Sequence, residues 1–143
     1  MTETTIRSLQ RIVFAQYLDD GALTVFEAEP SVVPFQIVRV FTVAGVSANG
    51  RRGNHAHRDC TQLLACLSGE ATVRVHDGEA EVSETLAADG VALLIPPMLW
   101  NSVWFRDPGT VLAVFCDKPY DPSDYLVDWD EYLGAKDSSS DPA

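Results

Sequence analysis

Nine short runs of β-branched, aromatic and other apolar residues, set apart by turn-forming residues, restrict this chain more than any other feature of its sequence. They are Ile12 to Tyr17, Leu23 to Ala28, Phe35 to Val43, Gln62 to Leu67, Ala71 to His76, Glu79 to Glu84, Val91 to Ile95, Ser102 to Phe105 and Val111 to Cys116. Runs this short and this regularly spaced predict an all-β sandwich or barrel. Asp20-Gly21 and Asp77-Gly78 each fall between two runs and supply the positive φ of tight turns, so the flanking segments are expected to be antiparallel. At 143 residues the chain suits one domain, assigned to residues 1–135. Residues 136–143 are small and polar and read as a disordered tail. The one break from β pattern is near the C-terminus. Asp121-Pro122-Ser123-Asp124 has the signals of a helix start and Gly134 those of a stop, with Tyr125, Leu126, Trp129, Tyr132 and Leu133 on one face.

Composition removes several function classes. No apolar run approaches the roughly 18 residues needed to span a bilayer, and the longest, Val91 to Trp100, contains Pro96-Pro97. The N-terminus lacks the pattern of a secretory signal, and Cys60, Cys66 and Cys116 form no disulfide framework. A cytoplasmic protein with reduced thiols is expected. Twenty-one acidic residues against 10 basic give a net charge of -11, which disfavours nucleic acid and anionic membranes as partners. Against that background Arg51, Arg52 and Arg58 crowd beside two of the three histidines. They mark either a local anion site or a solvated loop whose charges pair with nearby acids.

The chemistry concentrates at Gly53-Asn54-His55-Ala56-His57. In an extended chain residues i and i+2 share a face, so His55 and His57 can converge inside a small barrel. A neutral imidazole can take and return a proton near neutral pH, which suits proton transfer at a carbon next to a carbonyl. The plainer reading is a hydrogen-bonded core pair. His55, His57, Gln62 and Gly69, followed by Gly90, Pro96 and Asn101, resemble the two sequence motifs of the cupin superfamily. That resemblance implies an all-β single cupin (jelly-roll) barrel with a short C-terminal helix. Metal-binding cupins carry a glutamate where this chain has Gln62 and a histidine where it has Asn101. Two imidazoles and neutral amides beside arginines favour an anion over a dication, so no metal ligands are assigned.

A narrower resemblance runs along nearly the whole chain. Arg39-Val40-Phe41, Arg51-Arg52-Gly53-Asn54-His55-Ala56-His57, Ile95-Pro96-Pro97 with Trp100, and Tyr120-Asp121 with Asp124-Tyr125 are similar to the dTDP-4-keto-6-deoxyglucose 3,4-ketoisomerase family of cupins. The resemblance implies a homodimer, without metal or other cofactor, that moves the keto group of a nucleotide-linked deoxyhexose from C4 to C3 through an enediolate. It implies His55 as the base and His57 as an orienting or relaying partner. Arg52 and Arg51 are the candidates for substrate diphosphate or sugar oxygens, with Gln62 and Asn101 as amides in the pocket. Many members place a tyrosine where this chain reads Phe41-Thr42-Val43, and Thr42 is the hydroxyl offered there instead. Two other readings stay open: a cupin that binds a nucleotide sugar or another anion without turnover, and a metal-dependent cupin dioxygenase. Dimerisation is expected through the N-terminal strands, whose edges a monomer would leave bare.

Overall fold

Backbone pairing divides the chain into twelve strands and one α-helix in the computed structural model, which describes residues 3–140. The strands are β1 (Gln10–Val13), β2 (Ala15–Leu18), β3 (Ala22–Val25), β4 (Arg39–Ala44), β5 (Gly50–His57), β6 (Gln62–Ser68), β7 (Glu70–His76), β8 (Glu81–Ala87), β9 (Val91–Ile95), β10 (Trp100–Phe105), β11 (Val111–Cys116) and β12 (Tyr125–Leu126). The helix, α1, spans Trp129–Ser140. Two five-stranded antiparallel sheets, ordered β1-β9-β6-β11-β4 and β12-β5-β10-β7-β8, form the jelly roll that the motifs predict.

Leu64, Leu93, Leu112 and Val114 from the first sheet meet Val73, Val103 and Phe105 from the second in one core. Each large apolar side chain fully buried there contributes about 1.5–3 kcal/mol. The opposite face of the first sheet is also covered. Leu63, Ala65 and Leu94 pack beneath Phe14, Phe26, Val33 and Ile37. Much of that cover comes from residues expected to extend two strands. The run at Phe35 becomes strand only from Arg39, and the run at Leu23 ends at Val25, because their apolar side chains fold over the sheet instead. The run from Ile12 to Tyr17 also divides: Phe14 donates its N–H to Gly90 O and buries its ring, separating β1 from β2.

Both predicted turns join antiparallel neighbours. Asp20 and Gly21 have φ of 48° and 116° in the three-residue loop between the paired Leu18 and Ala22, the positive values that these residue types tolerate. Asp77 instead organises a four-residue connection by accepting the N–H groups of Glu79 and Ala80.

The C-terminal start signals mark a different element. Asp121 caps a single 3-10 turn, Pro122–Asp124, and the chain then extends as β12 along β5, with Tyr125 opposite His57. Burial of Leu126 against Ala56, Trp100 and Tyr132 draws those residues into the sheet. The helix begins later, where Asp128 accepts the N–H of Glu131. It runs through Gly134, the expected stop, and takes in Lys136–Ser140 of the expected tail. Tyr132 anchors it by donating its hydroxyl to the carbonyls of His76 and Met98. Residues 141–143 of that tail lie outside the described residues. No helix among the described residues is long and apolar enough to cross a membrane.

Candidate active site

A β-bulge in β5 decides which side chains enter the barrel. Asn101 pairs with His55 while the next residue, Ser102, pairs with Gly53, so Asn54 is the extra residue. Gly53 and Asn54 adopt φ of 88° and 66°. Glycine suits this site because a Cβ at Gly53 would stand 3.2 Å from Asn101 O. Asn54 Oδ1 accepts the hydroxyl of Ser102, tying the bulge to β10. Beyond the bulge Arg52 lies opposite Val103, whose side chain points inward, and Arg51 lies opposite Trp104, on the outer face.

A cavity of about 260 Å³ opens between the sheets. Phe41, Val43, Leu64, Val103, Phe105, Leu112 and Val114 supply its hydrocarbon walls, and Arg52, His55, Gln62, Asn101 and Tyr125 supply its polar groups. His55, Arg52, Gln62 and Asn101 are thus brought together as the sequence suggests. Two expected residues are not. Arg51 lines a separate cleft with its guanidinium carbon 5.6 Å from the Trp104 ring centre, and Thr42 is exposed between the inward-facing Phe41 and Val43. Strand alternation turns both away from the cavity.

His57 stands behind His55, buried, with ring centres 5.0 Å apart. Its Nδ1 lies 2.8 Å from Asp124 Oδ2, and the other oxygen of Asp124 accepts the N–H of Asp59 at 2.7 Å. Paired with a carboxylate oxygen, Nδ1 is the donor, which leaves Nε2 deprotonated; that atom is buried without a partner. Burial, reinforced by the neighbouring His57, lowers the pKa of His55 below the ordinary histidine value. Burial lowers that of His57 as well, against the opposing pull of Asp124. Both rings are therefore neutral near neutral pH, the state in which an imidazole accepts a proton.

Tyr125, which lines the cavity, and Asp124, which holds His57, are not among the expected site residues: the local pattern puts them at a helix start, although both belong to the Asp124-Tyr125 segment of the family resemblance. The Tyr125 ring centre is 5.2 Å from His55 and 4.5 Å from His57. Arg39, whose Nη2 donates to Cys116 Sγ, also interacts with Tyr125, and against the lowering effect of partial burial these contacts raise its pKa above the ordinary arginine value. The pairing of β12 with β5 brings Tyr125 to the cavity; the helix-start pattern around residue 125 does not announce that pairing, and the one sequence signal there is the family segment Tyr120-Asp121 with Asp124-Tyr125. Among the lining residues there is no carboxylate, and the polar groups are one imidazole, two amides, a phenol and a guanidinium. That set stabilises negative charge and moves protons better than it holds a dication.

Comparison with known proteins gives consistent matches. The family model described as "FdtA: WxcM-like, C-terminal" matches residues 2–137. A TDP-4-oxo-6-deoxy-alpha-D-glucose-3,4-oxoisomerase from Aneurinibacillus thermoaerophilus is 30% identical over 121 residues, covering 85% of this chain and 87% of that protein. The crystal structure of QdtA, a sugar 3,4-ketoisomerase from Thermoanaerobacterium thermosaccharolyticum in complex with TDP, superposes with a TM-score of 0.88 at 29% identity, covering 94% of this chain and 98% of that one. A histidine-to-asparagine variant of QdtA, solved with TDP-4-keto-6-deoxyglucose, matches with the same TM-score, identity and coverage.

Proposed function

Because the chain belongs to the FdtA, WxcM-like C-terminal family, we propose that it is a TDP-4-keto-6-deoxyglucose 3,4-ketoisomerase. The observation that carries this reading is the placement of His55, a neutral imidazole in a cavity with Arg52 at its rim and two amides and a phenol around it. His55 takes the proton from C3 while charge moves onto the C4 oxygen, giving an enediolate. The C3 hydroxyl proton passes to the C4 oxygen while Asn101, Gln62 and Tyr125 supply donors for both oxygens, and protonation at C4 by the His55 imidazolium, as the carbonyl re-forms at C3, completes the exchange. His57, fixed by Asp124, positions His55 or relays its proton. Such chemistry needs only proton transfer next to a carbonyl, which imidazole performs without a cofactor.

Arg52 meets the diphosphate or sugar oxygens from the exposed rim. Support for a homodimer comes from the β2–β3 hairpin, a two-stranded sheet of its own. With it are exposed Val13, Tyr17, Leu18 and Leu23, at 70%, 61%, 74% and 62%. The C-terminal helix, which could have covered them, packs instead on Ala56 and Trp100 of the other sheet. A second copy would bury this apolar surface. Three unpaired, buried cysteines fit a reducing, cytoplasmic setting.

Incubation with dTDP-4-keto-6-deoxyglucose in deuterated water, followed by NMR, tests the activity. A 3-keto product carrying solvent deuterium at C4 is expected. Binding of TDP without product or exchange would leave a nucleotide-sugar-binding cupin. Light scattering at micromolar concentration tests the assembly, and a mass near 15.6 kDa would count against the dimer.

A further inference from the structure

Near His57 sits Cys60, a buried thiol that does not line the cavity and that the proposed isomerisation does not use. We propose that His57, Cys60 and Asp124 form a binding site for a thiophilic divalent cation of the zinc class, and that a cation bound there inhibits the enzyme. A ring nitrogen of His57, the Cys60 sulfur and a carboxylate oxygen of Asp124 all lie within 4.8 Å of one another. Ligands of a tetrahedral zinc site stand about 3.5 Å apart, given bonds of about 2.0–2.3 Å. Closing the cluster therefore requires shifts of about an ångström. One nitrogen, one sulfur and one oxygen donor select Zn²⁺, Co²⁺ or Cd²⁺ over Mg²⁺ and Ca²⁺.

Asp124 is already oriented by the N–H of Asp59 at 2.7 Å, the kind of support that metal-ligating carboxylates use. Cys60 interacts with the Cys116 thiol, which places a second sulfur beside the cluster. A route in is present. Asp124 also lines a second cleft, of about 410 Å³, where Asp59 and Asp121 add carboxylates near Arg58 and Lys118.

A cation on Nδ1 of His57 takes the place of the proton shared with Asp124 and replaces the 2.8 Å hydrogen bond that orients the ring. It also sets a double positive charge near His55, whose ring centre is 5.0 Å from that of His57, which makes His55 a poorer base. The inhibition rests on the isomerase reading, whereas the binding does not.

Titration of the reduced protein with CoCl₂ alone tests the site. The thiolate-to-cobalt charge-transfer band in the near ultraviolet should saturate at one Co²⁺ per chain, fade on addition of Zn²⁺ and ignore Mg²⁺. It should persist in Cys66→Ser and disappear in Cys60→Ser. A wild-type protein that gives no such band, or a band retained in Cys60→Ser, overturns the proposal. The wild-type measurement decides even if the variant fails to fold. In turnover assays Cys60→Ser should match wild type without metal and need at least tenfold more Zn²⁺ for half-inhibition; equal sensitivity overturns the inhibitory role. A cobalt band in a protein without isomerase activity leaves the site standing and removes the isomerase reading, whereas activity without the band does the reverse.

Discussion

Arg52 and His55 line the same cavity although they stand three positions apart on one strand, a spacing that would put them on opposite faces of a regular strand. The bulge at Gly53 and Asn54 reverses the alternation between them. One irregularity in the backbone thus joins a cation at the rim to an imidazole inside, and sends Arg51 to the outer face.

Replacing Gly53 with alanine tests that relationship. The residue holds φ at 88°, where a side chain is strained, and the new Cβ would approach Asn101 O at 3.2 Å. A loss of about 1–3 kcal/mol is expected. Chemical denaturation should show it, together with a rise in KM as Arg52 and His55 lose their common face. Unchanged stability and KM would mean that the bulge is dispensable.

The two neighbouring arginines should separate cleanly in kinetics. A charge-assisted contact of the kind proposed for Arg52 contributes about 1.5–3 kcal/mol, so Arg52→Ala should raise KM roughly tenfold or more. Arg51→Ala should leave KM within about twofold of wild type, since that side chain stacks on Trp104 outside the cavity. Steady-state assays of both variants provide the check, and equal effects would contradict the face assignment.

His55→Asn keeps the size of the side chain and a hydrogen-bonding end but removes the base. Turnover is expected to fall by about 10² to 10⁴. TDP affinity, measured by calorimetry, should stay nearly unchanged. A variant with wild-type turnover would remove His55 from the base role.

Tyr125→Phe removes one hydroxyl and preserves the ring that packs beside both histidines. If the phenol donates to the enediolate, kcat should fall by about 10² while KM moves little, the signature of an interaction made mainly in the transition state. A change in KM alone would assign Tyr125 to substrate binding.

Asp77 gives the stability a pH dependence of known sign. Burial by itself would raise its pKa, but the N–H groups of Ala80, Glu79 and Ile6, with Lys136 nearby, hold it below the ordinary aspartate value. A carboxyl lowered on folding stabilises the native state above its unfolded pKa, about 3.9, and that contribution is lost as pH falls through the lower folded value. Asp77→Asn should be less stable at neutral pH by about 1 kcal/mol and should lose less of its stability on acidification. Thermal melts of both proteins across the acid range measure the difference.

Much of the architecture follows from local pattern. Val91–Ile95 and Val111–Cys116 are strands with the expected ends, because their side chains are apolar on both faces and both faces are buried. Asp20-Gly21 turns the chain because those residue types tolerate positive φ. His55 and His57 fall on one side of β5 through the two-residue repeat of an extended backbone. What required the tertiary structure were features set by a distant partner. Pairing of β12 with β5 turned a helix-like Asp124-Tyr125 into the carboxylate behind His57 and the phenol beside His55. The register of β10 against β5 placed the bulge, and with it Arg52 inside and Arg51 outside. Burial of Tyr132 against the second sheet accompanies a helix that continues past Gly134, since packing outweighs the roughly 1 kcal/mol by which glycine disfavours a helix. A sequence records the propensities of neighbouring residues directly, whereas contacts between residues about 70 positions apart depend on which of several compatible strand pairings buries the most apolar surface.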